Sequence, residues 1–235
     1  MKFTTLIITF IFISLINSFQ GIRILNYQET KILTKPEIIN EDIIKGKTLE
    51  YLSVIKNNHN KFEFSTNKGS QNIISEINFK NEIQIFGWDK LSITTHNSAN
   101  IFTQYYFSGF LEGIITQKKI FQFFSNTFHN NSIETSKKSL AHIFDFFEKV
   151  GANLLKKFES LSISKGKEHE KQLFLAFQQL IGLFHGYNFV SPDKEKLTIG
   201  QLLFIQAESE IPELIKYFKK NKSELKLGVK NYFKK

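Results

Sequence analysis

Five stretches of this chain place serine, histidine, glutamate or lysine at spacings that could do chemistry, and each fails on a required partner. His169-Glu170-Lys171-Gln172-Leu173 opens like the zinc-binding helix of metalloproteases, but Leu173 stands where the second imidazole must sit one turn on, so two ligands cannot share a helix face. Ser53-Val54-Ile55-Lys56, Ser162-Ile163-Ser164-Lys165 and Ser223-Glu224-Leu225-Lys226 all match the serine–lysine pattern of acyl-transfer enzymes. Three matches in a lysine-rich chain, with no Lys-Thr-Gly companion, carry no weight. Tyr106-Phe107-Ser108-Gly109-Phe110 lacks the glycine two positions before a nucleophilic serine. The six histidines include none four residues apart, and no phosphate-binding loop is present. The chain has no cysteine, which excludes a disulfide framework, a thiolate metal site and a thiol nucleophile within its 235 residues. No residue of the chain is therefore named as catalytic, and neither a metal nor a cofactor is expected.

The spacing that stands out is Gly109-Phe110-Leu111-Glu112-Gly113. Two glycines four apart share one helix face and let another backbone approach closely. Tight packing in a folded core accounts for them better than a membrane dimerisation face. Glu112, between them, needs a partner if buried.

The elements that would hold these residues follow from periodicity. From about 48 to 95, Leu49, Tyr51, Ser53-Val54-Ile55, Phe62, Phe64 and Ile73 to Phe79 read as strands. Asn57-Asn58-His59-Asn60 and Asn67-Lys68-Gly69-Ser70 supply turns between them. Ile83, Ile85, Trp88, Leu91 and Ile93 read as a further strand pair broken at Gly87, so the first half is expected to be a β-meander. Beyond residue 97 the period becomes helical. Ser98 is the expected N-cap of a helix over Ala99 to Gln117, and Ser136 or Ser139 opens a second with Leu140, Ile143, Phe144, Phe147, Val150, Gly151, Leu154, Leu155 and Phe158 on one face. Glu168 to Tyr187 is apolar around most of its circumference and should be buried. Leu197 to Ile205 and Ile211 to Phe218 are shorter helical segments parted near Pro212. Strands first and helices after define an α+β class.

The N-terminus reads differently. Met1-Lys2, the apolar run Phe3 to Ile16 and the polar, small-residue stretch Asn17 to Gly21 have the layout of a secretory signal peptide over residues 1–21. The apolar run is shorter than the roughly 20 residues that span a bilayer. The mature chain, beginning near Phe19 to Ile22, is expected in the secretory or endolysosomal lumen with no transmembrane helix. Asn130-Asn131-Ser132 and Asn221-Lys222-Ser223 are glycosylation sequons, at Asn130 and Asn221. The net charge of +9 comes from lysine, since Arg23 is the single arginine. Bidentate readout of bases and phosphates favours arginine, so no nucleic-acid partner is expected. The 26 phenylalanines fit AT-rich coding as readily as any function.

Three blocks occur together in order. Gly87-Trp88-Asp89-Lys90-Leu91 precedes Tyr105 to Thr116 with its core Gly109 to Gly113. His169 to Tyr187 contains Gln178-Gln179-Leu180-Ile181-Gly182-Leu183 and Gly186-Tyr187. Leu202-Leu203-Phe204-Ile205-Gln206-Ala207 then leads into an acidic segment through Glu213-Leu214. Over about residues 45 to 220 these blocks resemble the N-terminal part of the phospholipase B-like family, which includes the lamina ancestor proteins. The resemblance implies a four-layer αββα fold of the N-terminal-nucleophile hydrolases, in a secreted, lysosomal or phagosomal compartment. It implies a phospholipid or N-acyl substrate cleaved at an ester or amide bond. The nucleophile would be a cysteine exposed by cleavage of the chain, with its own α-amine, which titrates near neutrality, as base.

That cysteine lies after the third block in the family and has no counterpart here. The chain thus resembles the N-terminal fragment, residues 22–235 forming a single incomplete domain, with a C-terminal catalytic fragment as its implied partner. By this resemblance Trp88, Gly109, Glu112, Gly113 and Gly182 are scaffold positions. The polypeptide alone is expected to hydrolyse nothing and, with unpaired strand edges, to be poorly soluble. The alternative is a non-catalytic secreted protein that binds lipid surfaces or a protein partner through its open sheet.

Overall fold

Strand-forming residues are confined to the first hundred positions and helices to the rest, and the computed structural model follows that division. It describes residues 37–44, 48–59, 61–130, 137–160 and 168–220. Among the described residues are five strands: β1 (Ile38–Ile39), β2 (Tyr51–Lys56), β3 (Phe62–Ser65), β4 (Ile73–Lys80) and β5 (Lys90–Thr95). With them come seven helices in an α+β architecture: α1 (Ile83–Phe86), α2 (Ile101–Ile115), α3 (Gln117–Asn130), α4 (Lys137–Ser160), α5 (Glu168–Val190), α6 (Ile199–Gln206) and α7 (Ile211–Lys220). The described residues divide into two compact units, one holding those between 37 and 120 together with 168–196, the other 121–130, 137–160 and 197–220.

The first unit holds the sheet, ordered β1-β3-β2-β4-β5. The β2–β3 hairpin is closed by Asn57. Its amide N–H donates to the Lys61 carbonyl at 2.9 Å, while its side-chain oxygen accepts from the His59 and Lys61 amides, both at 2.9 Å. β4 then returns to the far side of β2 instead of continuing from β3, so the expected meander is corrected to a sheet with β2 near its centre. Alternation along a strand says which residues share a face; it cannot say which neighbour a strand takes. β1 runs parallel to β3, and Asn40, at a φ of 66°, clasps the β3 backbone. Its amide donates to the Phe64 carbonyl and its oxygen accepts from the Phe64 amide, each at 3.0 Å.

A second correction concerns residues 83–88. Ile83 and Ile85 alternate as a strand would, yet Ile83–Phe86 forms one helical turn, stopped by Gly87 at a φ of 79° with its amide on the Ile83 carbonyl. Only Lys90–Thr95 of that region is strand.

One sheet face is apolar. Leu52 pairs with Ile77 and Val54 with Phe64, and the rings of Phe62 and Phe64 meet Phe107 and Phe110 of α2 at centroid distances of 4.7 and 6.2 Å. α2 starts two residues later than Ser98 would place it. Asn100 is the N-cap, accepting from the Thr103 amide at 2.9 Å, whereas the Ser98 hydroxyl is committed to the Ile73 carbonyl. α5 runs from Glu168 to Val190, covering the expected helix, and its Phe174, Leu175, Phe177, Gln178 and Ile181 are buried.

In the second unit, Ile143 and Phe147 of α4 are buried and the Phe147 ring lies edge-on to Phe204 of α6 at 6.2 Å. A capping box starts α6: the Thr198 hydroxyl accepts from the Gln201 amide at 3.1 Å, and the Gln201 side chain accepts from the Thr198 amide at 2.7 Å. Ser136 lies outside the described residues, and Ser139 falls inside α4, which is already helical at Lys137. Residues 1–21, with the expected signal peptide, also lie outside the described residues, as does Asn221. Asn130 is the last residue of α3, and Asn131-Ser132 of its sequon lie outside. Among the described residues no helix is long and apolar enough to cross a membrane.

Candidate functional site

The singled-out glycines do meet a second backbone. A β-carbon placed on Gly109 would lie 1.9 Å from the Gln179 carbonyl oxygen, and one on Gly113 would lie 2.3 Å from that of Leu183. The fit is reciprocal: a β-carbon on Gly182 would lie 2.0 Å from the Tyr106 oxygen, and one on Gly186 would lie 1.9 Å from that of Phe110. Four glycines, two per helix and four residues apart, therefore let α2 and α5 pack with backbones in contact. Gly186 belongs to the same arrangement, and its spacing from Gly182 was the signal for it.

Glu112 lies on the flank of this seam. Burial raises its carboxyl above the ordinary glutamate range, and a hydrogen bond with Gln179 partly opposes that shift. The expectation that Glu112 needs a partner is met by Gln179. The neighbouring Gln178 is 1% exposed, and neither atom of its amide has a hydrogen-bond partner among the described residues. On the next turns of the same helices, the Tyr106 hydroxyl and His185 Nδ1 are hydrogen-bonded at 2.9 Å. Burial pushes the Tyr106 phenol far above its usual range, so it stays protonated at any physiological pH.

The opposite sheet face carries a second polar group that periodicity did not reveal. Ser53 pairs with Glu76 and Tyr51 with Asn78, so their side chains point away from the helices. Glu76 accepts from the Tyr51 hydroxyl at 2.8 Å and contacts His96 Nε2 at 3.1 Å. The Ser53 hydroxyl donates to the Ser65 carbonyl at 3.1 Å, and Lys68 lies 5.5 Å above the Tyr51 ring. Burial first, and then Glu76, raise the Tyr51 phenol. A carboxylate gripping a half-exposed imidazole can orient it to take or give a proton at the sheet surface. Tyr51, Glu76 and His96 are separated by 20 or more positions in sequence, and only strand register brings them together.

Trp88 is placed beyond the end of α1 with its ring 67% exposed, outside the apolar core. Asp89 beside it pairs with Lys119 of α3 at 2.8 Å.

A five-stranded sheet with a glycine-seamed helix pair on one face and the Tyr51–Glu76–His96 group on the other defines the class: an α+β scaffold whose helical layer is built on backbone contact. The sequence profile of the phospholipase B family matches residues 75–234, from β4 onward and through both glycine helices, about two thirds of the chain. The chain belongs to that family. It is 26% identical to phospholipase B-like protein C of Dictyostelium discoideum over 152 residues, which are 64% of this chain and 26% of that protein. To phospholipase B-like protein E of the same organism it is 26% identical over 142 residues, 58% of this chain and 24% of that protein. The chain thus spans about a quarter of the length of these curated relatives.

Proposed function

We propose that the chain is the N-terminal portion of a phospholipase B-like hydrolase that cleaves acyl ester or amide bonds of lipids, acting in the secretory or lysosomal lumen. The observation that carries this reading is the family match across β4, β5 and the α2–α5 seam. The absence of cysteine from the 235 residues supports a role in which this polypeptide builds the scaffold and the nucleophile comes from a second, C-terminal segment. Helices packed on one face of a sheet are compatible with one half of a four-layer αββα sandwich, whose second sheet would cover the other face.

The test is reconstitution. The chain from residue 22 onward, alone or mixed with the unmatched C-terminal part of phospholipase B-like protein C, is incubated with phospholipid labelled in its acyl chain. The chain alone should release no label, and the mixture should. Release by the chain alone would overturn the assignment of the nucleophile elsewhere, and failure of every such mixture to bind or turn over lipid would overturn the hydrolase reading.

A further inference from the structure

Residues 82–91, Glu-Ile-Gln-Ile-Phe-Gly-Trp-Asp-Lys-Leu, place five large apolar side chains within nine positions, and none reaches the core. Ile83, Ile85, Phe86 and Trp88 are 46%, 74%, 52% and 67% exposed. Exposure of that degree puts side chains on a convex projection, since a groove would cover them. Nothing lies within 4 Å of the position a β-carbon would take on Gly87, at the crest of the turn. Apolar groups held in water this way mark an interaction surface.

The turn is held firmly from below. Gly87 closes α1 onto the Ile83 carbonyl at 2.9 Å. Lys90 grips Glu82 at 2.7 Å and lies 4.3 Å above the Phe86 ring, and Lys119 grips Asp89 at 2.8 Å. Both carboxylates of the segment are thereby neutralised, and Lys80 adds an exposed positive charge at the end of β4. An indole, a phenyl ring and two isoleucines at the tip, with the segment's carboxylates neutralised and the exposed Lys80 at its base, match a bilayer interface. There aromatic rings settle at headgroup depth and an exposed lysine meets anionic lipid.

We propose that the α1 turn, with Ile83, Ile85, Phe86 and Trp88, is a lipid-surface docking element that seats this scaffold on an anionic membrane. The proposal rests on the reading of the chain as part of a lipid hydrolase, but docking needs no turnover and is measured without it. Trp88 is the single tryptophan of the chain, so intrinsic fluorescence reports this turn alone. The full chain is titrated with vesicles of equimolar phosphatidylcholine and phosphatidylserine, both ether-linked and so resistant to hydrolysis.

Trp88 emission should shift to shorter wavelength, and the protein should sediment with the vesicles. A variant with Ile85→Ser and Phe86→Ser keeps the reporter and alters only exposed positions. It should lose affinity by about tenfold or more, as removal of two inserted apolar side chains requires. An unmoved emission spectrum, or vesicle binding equal in the double variant, would overturn the proposal. An emission shift produced by the C-terminal part of phospholipase B-like protein C and not by vesicles would overturn it in favour of a protein interface. Ester-lipid hydrolysis in the reconstituted mixture without any Trp88 shift would leave the hydrolase reading standing and remove this one. Docking without hydrolysis would do the reverse.

Discussion

Gly109→Ala tests whether the α2–α5 seam depends on backbone contact. The added β-carbon would lie 1.9 Å from the Gln179 carbonyl oxygen, 2.8 Å from its carbon and 2.9 Å from the Leu183 nitrogen. Real contacts of this kind essentially never fall below 3.0 Å, so the helices must part by roughly 1.1 Å along that line. No side chain can rotate away, because every nearby atom is backbone. Overpacking of this sort costs about 1–3 kcal/mol, and the obstruction argues for the upper end. Alanine returns about 1 kcal/mol through its better helix propensity. The net expectation is a loss of about 1–2 kcal/mol, read as a lowered urea midpoint with unchanged slope in far-UV circular dichroism. Gly182→Ala acts along the same axis, 2.0 Å from the Tyr106 oxygen, so once the helices have parted the second methyl finds space already made. The double variant should therefore cost less than the two single costs together, by about 1 kcal/mol. A neutral or stabilising Gly109→Ala, or strictly additive costs, would refute the seam as described.

Glu112→Gln should stabilise the protein at neutral pH. The folded carboxyl titrates above its unfolded value, so the native state binds more protons and its stability falls as pH rises through the ordinary glutamate range. The gain should vanish at pH values below that range, where the carboxyl is protonated in both states; thermal melts at two pH values decide it. Asn100→Ala should cost about 1 kcal/mol by removing the α2 cap on the Thr103 amide, and Asn100→Ser should restore most of it. Thr198→Ala removes both the α6 capping box and a hydrogen bond to Glu148, so its cost should be at the upper end of cap losses, about 1.5–2 kcal/mol in denaturant titrations. The isolated chain should self-associate through the β5 edge; a monodisperse, cooperatively melting monomer in sedimentation and calorimetry would count against that.

How legible these features were differs from residue to residue. The glycine pair at 109 and 113 was visible because a helix repeats its face every three to four residues, and Gly182 and Gly186 carry the same spacing. The cap of α2 was misplaced by two residues because serine and asparagine serve equally well there. What separated them was tertiary: Ser98 is taken by the Ile73 carbonyl. At Ile83 and Ile85 alternation pointed to a strand, but two residues are too short a run to fix a period, and in a helical turn residues two apart lie on different sides. Gly87, free to adopt a left-handed backbone, ends that turn.

By itself the sequence determined the α+β division, the glycine face of α2, the lack of a cysteine and the kinship to phospholipase B, because each depends on residue type and local spacing. Strand order, the meeting of Tyr51, Glu76 and His96, and the outward display of Trp88 were decided only by the tertiary structure. Strand order and that meeting depend on which backbone hydrogen bonds form between distant segments, and the backbone groups that make them are the same in every residue but proline; the display of Trp88 depends on what the rest of the fold leaves uncovered.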